Sequence, residues 1–121
     1  MGENWYPIFR ADGTSEVICC ETWRAVKAAV KCEWADMPVV GRFRDASPFG
    51  YRVVRLIIDD NGKGSGKKKN EIMTEFYSNP SDFIVGDVAV GVESITGEDI
   101  TGFGSKEEAE GVRMWIIRMY G

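Results

Sequence analysis

Arg42, Arg44, Arg52 and Arg55 alternate with Phe43, Phe49 and Tyr51 along one stretch of this sequence. A guanidinium grips a phosphate or carboxylate through two parallel hydrogen bonds, and an aromatic face stacks on a nucleobase. That mixture points to capture of an anionic, nucleotide-derived ligand. Just downstream, Gly62 to Lys69 (Gly-Lys-Gly-Ser-Gly-Lys-Lys-Lys) adds free backbone amides and ammonium groups, which together can surround an anion.

The glycine-lysine stretch fails the phosphate-binding signatures it evokes. A P-loop beginning at Gly62 needs glycine where Lys67 stands, and a dinucleotide fingerprint beginning at Gly62 and Gly64 needs glycine at the same position. The stretch therefore reads as a hairpin connection able to close over a ligand as a lid, with Lys63 and Lys67 as its contacts. The candidate ligand-binding set is Arg42, Arg44, Phe49, Tyr51, Arg52, Arg55, Lys63 and Lys67.

Several chemistries are excluded or disfavoured by what the sequence lacks. It has no histidine, which removes Ser-His-Asp and Cys-His catalysis and His-ligated metals. Asp59 and Asp60, adjacent at the end of a strand, suit the start of a turn better than a proton-sharing pair. Cys19, Cys20 and Cys32 form no Cys-x-x-Cys pair and no even framework, so they read as reduced thiols. The carboxylates match no calcium-loop spacing. A non-enzymatic protein with no cofactor and no metal is expected.

Charge is segregated along the chain. The net charge is −4, yet residues 42–69 carry eight cations against three acids, and residues 70–121 carry ten acids against three cations. Such a molecule repels duplex DNA as a whole, so non-specific binding to it is not expected. The acidic C-terminal half suits a basic protein surface, which makes a protein-binding inhibitor of the phage accessory type the alternative to ligand sequestration. No apolar run approaches the roughly 18 residues of a membrane span. The start, Met1 to Tyr6, does not follow the basic-then-apolar order of a signal peptide, so a cytoplasmic protein without membrane contact is expected.

The elements that must carry these residues follow from periodicity. Residues 5–10 and 15–20 alternate as two strands around the turn Ala11-Asp12-Gly13-Thr14, and Pro7 places the first strand at an edge. Trp23, Val26, Val30 and Trp34 at helical spacing predict a helix over 22–34, ended before Pro38. Residues 39–44 and 51–58 read as strands, the second apolar on both faces and hence central, with Arg52 and Arg55 of opposite parity. Residues 71–77 read as another strand, and 88–94 and 100–103 as a hairpin. Ser105 and Glu108 form a capping box that opens a helix to Tyr120, with Glu110 and Arg113 spaced to pair.

At 121 residues the chain is one domain. The pattern predicts an α+β fold: a single mostly antiparallel sheet of about six or seven strands with two helices packed on it, in the order ββα, strand-rich middle, ββα. A homo-oligomer that builds its site between protomers is natural at this size.

Overall fold

The computed structural model describes residues 4–43 and 47–121. Ten elements follow one another: β1 (Asn4–Phe9), β2 (Ser15–Cys20), α1 (Trp23–Ala29), β3 (Ala35–Asp36), β4 (Val39–Val40), β5 (Val54–Asp59), α2 (Glu71–Tyr77), β6 (Val88–Glu93), β7 (Ile100–Thr101) and α3 (Lys106–Tyr120). The seven strands form one antiparallel sheet in the order β2-β1-β6-β5-β3, with β4 also on β5 and β7 also on β6. This is the α+β architecture expected, with one more helix. No helix among the described residues is long and apolar enough to cross a membrane.

Side-chain alternation divides the core into two layers. Val88, Val90 and Val92 of β6 face α2 and α3, while Ala89 faces α1 with Ile57, Tyr6 and Ile8. The helices thus cover both faces rather than one. The larger layer is aromatic: Phe49 sits among Phe43, Phe76, Phe103 and Trp115, the last at 5.8 Å and edge-on.

Pro7 sits inside the sheet, because β1 lies between β2 and β6. Its missing N–H falls where β1 parts from β6, after the Ile8–Ala89 pair and before the Trp5–Phe103 bridge. There β7 wedges in between the two strands. The wedge needs glycine, since a Cβ on Gly102 would lie 2.8 Å from the Trp5 amide nitrogen and carbonyl oxygen. No ladder donor is lost, so an interior proline is tolerated.

Several sequence expectations change. Residues 71–77 are helix α2, not a strand: the Asn70 side chain accepts from the Met73 amide as N-cap, and Met73 and Phe76 are buried one turn apart. Helix α1 stops at Ala29, with Lys31 at φ 55°, so Trp34 stands 67% exposed instead of joining an apolar stripe. The strand expected over 39–44 is only two residues long, and the one expected from Tyr51 starts at Val54. β5 has neighbours on both sides, but the middle of the sheet belongs to β6.

Candidate functional site

Tyr51 and Ile95 are fully exposed, and they border one open groove of about 1000 Å³. Tyr51, Arg52 and Val53 form one wall and Ser94 to Gly97 the other, with Val92, Glu93, Thr101 and Gly102 between them. Of seven exposed large hydrophobic residues among those described, three (Tyr51, Val53 and Ile95) meet here. Exposed apolar residues scattered singly need no explanation, but a concentration facing one cavity does.

Both walls are rigid turns. In the first, the Arg52 side chain donates from Nε to the Phe49 carbonyl at 2.9 Å and from Nη2 to the Pro48 carbonyl at 3.1 Å. It also pairs with Glu108 at 3.3 Å and lies over the Phe103 ring. Phe49 itself is buried, so the turn is pinned from below by a core aromatic and from the side by a guanidinium. Gly50, at φ +63°, lets the chain reverse and turn Tyr51 outward.

In the second wall the Ser94 amide donates to the Asp99 carbonyl and the Gly97 amide to the Ser94 carbonyl, both at 2.9 Å. The Ser94 and Thr96 hydroxyls meet at 3.1 Å and also accept from the Asp99 and Glu98 amides. Ile95 projects fully exposed from this self-bonded loop, whose exposed Glu98 and Asp99 line the neighbouring cavity. A turn whose backbone is already hydrogen-bonded loses little backbone freedom on binding.

The remaining sequence candidates do not converge here. Arg52, in the turn before β5, lies over Phe103 and against Glu108, whereas Arg55 of β5 turns to other partners. Arg55 donates from Nε to the Met37 carbonyl and pairs with Glu93 at 2.8 Å, beside a smaller cavity lined by Trp23, Arg24 and Asp99. Arg42 is exposed near Val39, Tyr77 and Pro80, on another surface. Arg44 lies outside the described residues. Phe49 is a core residue and offers no face to a ligand.

The glycine-lysine loop is likewise tied down. Lys63 pairs with Asp82 and lies over the Phe83 ring, while Lys67 pairs with Asp59 at 2.9 Å and donates to the Lys31 carbonyl at 2.7 Å. Neither lysine lines the groove. Asp59 is buried, and burial alone would raise its pKa. The Lys67 hydrogen bond and the amides of Asn61 and Trp34 outweigh that, so its carboxyl is held below the ordinary value.

Ile95, Thr96 and Gly97 lie in the connection between the 88–94 and 100–103 strands, where the sequence offers only turn chemistry. The available signal was an isoleucine inside a Ser-x-Thr-Gly turn, where polar residues are the rule. Among the described residues no group of three or more His, Cys, Asp or Glu side chains could hold a metal ion. The three cysteines are free thiols. Comparison with family models, with curated proteins and with solved structures gives no match to this chain.

Proposed function

We propose that the protein is a non-enzymatic cytoplasmic binding module that engages a protein partner through the groove between Tyr51 and Ile95, as an inhibitor or accessory factor. The observation that carries this reading is the placement of two fully exposed apolar side chains, each on a hydrogen-bonded turn, on opposite lips of one groove. Interfaces gain most of their energy from a few central anchors, among which tyrosine is enriched, surrounded by a polar rim. Arg52, Glu93, Ser94 and Thr96 supply polar groups around the groove, and the acidic C-terminal half of the chain suits a basic partner surface.

The arginines in this reading are scaffolding. Arg52 fixes the turn that carries Tyr51, and Arg55 is neutralised by Glu93. Capture of a small nucleotide-derived anion is a second reading, favoured by one observation: Tyr51 and Arg52 border the same groove, so a base could stack beside a cation. Site-directed photocrosslinking from positions 51 and 95 tests the protein-partner reading. A thermal-shift panel of nucleotides with Arg52→Ala as control tests the other.

A further inference from the structure

The open edge of the sheet at β2 has a geometry that can be read residue by residue. The Arg10 amide donates to the Thr14 carbonyl at 2.8 Å and closes the β1–β2 hairpin, so Arg10 and Thr14 are a hydrogen-bonded pair. Antiparallel pairs alternate, which makes Ile8–Glu16, Tyr6–Ile18 and Asn4–Cys20 the bonded pairs that follow. Pro7, with no N–H, falls on a non-bonded position opposite Val17. Trp5 turns its amide and carbonyl the other way, to Phe103 at 2.9 and 2.8 Å. The N–H and C=O groups of Ser15, Val17 and Cys19 therefore point outward, away from β1.

No strand among the described residues pairs with that outer side. The opposite edge of the sheet is blunted: β3 and β4 are two residues each and are separated by Met37 and Pro38. β2 is six residues long and carries no lysine, no proline and no bulge, the devices that normally keep an edge from pairing. Its one charge, Glu16, is already neutralised by Arg10 at 2.6 Å.

We propose that β2 is a homodimer interface in which the β2 strands of two copies pair antiparallel about a two-fold axis, joining two sheets into one. A second copy fits this edge on charge. The uncharged Val17, Ile18 and Cys19 oppose one another without like-charge repulsion. Above the edge, Arg113 of α3 donates to the Ser15 hydroxyl at 2.9 Å and also pairs with Glu110 at 3.1 Å. With Ile18 opposite Ile18, Ser15 of one copy falls opposite residue 21 of the other, so at each end of the seam the Arg113 guanidinium at Ser15 is met by the Glu21 carboxylate of the second copy, and the border is complementary to itself. Main-chain hydrogen bonds supply the affinity, as in other strand additions.

The test is light scattering on the full chain under reducing conditions, with amide exchange read at Val17 and Cys19. The expected mass is about 27 kDa, twice the 13.5 kDa of one chain, with both amides slow to exchange. Cys19→Pro removes an outward N–H at an exposed position, and Cys19→Lys places like charges along the edge; each should give the single-chain mass with an unchanged far-UV circular dichroism spectrum. In Cys19→Lys the Val17 amide should become fast. A single-chain mass for the unaltered protein at every concentration, a dimer whose Val17 and Cys19 amides exchange fast, or a dimer that survives both substitutions would overturn the proposal.

Discussion

Lys67 Nζ lies 2.9 Å from the buried carboxylate of Asp59 and 2.7 Å from the Lys31 carbonyl, so the glycine-lysine loop is stitched back onto the strand it leaves. This ion pair gives the loop a structural duty. Removing Lys67 strands a buried carboxylate, and Lys67→Met should cost about 2 kcal/mol in urea unfolding.

The same pair sets a pH dependence. Asp59 has a folded pKa below its ordinary value of 3.8, so it contributes stability that is present above that value and lost as pH falls through the folded one. Asp59→Asn should therefore be less stable than the unaltered chain near neutral pH, with a deficit that narrows below about pH 4. Urea midpoints for both proteins across that range check it; a deficit independent of pH would contradict the assignment.

Phe49 and Tyr51 stand two residues apart in sequence and do opposite work. Phe49→Ala empties a space among four other aromatic rings and should cost about 4 kcal/mol. Tyr51→Ala, at a fully exposed position, should stay within about 0.5 kcal/mol of the unaltered protein. Thermal unfolding of the two variants side by side separates core from surface.

Gly102 is where β7 passes closest to β1. Gly102→Ala would place a Cβ 2.8 Å from Trp5 backbone atoms that cannot swing aside, and should destabilise by about 2 kcal/mol. Gly104→Ala, two residues on, meets nothing within 4 Å and serves as the control. Equal unfolding midpoints for the two would contradict the close-approach account.

Asn70 is buried and meets three backbone groups: it caps α2 through the Met73 amide and donates to the carbonyls of Phe9 and Gly86 at 2.9 Å. Asn70→Ala leaves two buried carbonyls short of a donor as well as an uncapped helix, and should cost about 3 kcal/mol. Denaturant unfolding measures it.

Asn70 also marks where sequence reading fell short. In Glu71-Ile-Met-Thr-Glu-Phe-Tyr77, Ile72, Thr74 and Phe76 alternate like a strand, while Met73 and Phe76 are spaced like a helix; seven residues do not separate the two periods. The cap decides, but beside a lysine run Asn70 passes for loop. At α3 a fifteen-residue element with its own cap is legible: Ser105 accepts from the Glu108 amide, although Glu108 reaches back to the Gly104 amide instead of that of Ser105. Long elements with their own periodicity, such as β5 and β6, were legible. The groove was not, because its lips come from two turns far apart in sequence, and because arginines that look available are consumed by Glu93 and Glu108. The ion pairs that neutralise them depend on strand register, which composition does not encode.

The central claim is that Tyr51 and Ile95 grip a protein partner. A photoreactive amino acid placed at position 51, at 95, and at the exposed control positions Asp12 and Glu33, followed by crosslinking in the cells that make the protein, tests it most directly. The account predicts the same protein adduct from positions 51 and 95, none from 12 and 33, and loss of the position 51 adduct when Ile95→Asp is added. Absence of an adduct at 51 and 95, or identical adducts from all four positions, would contradict it.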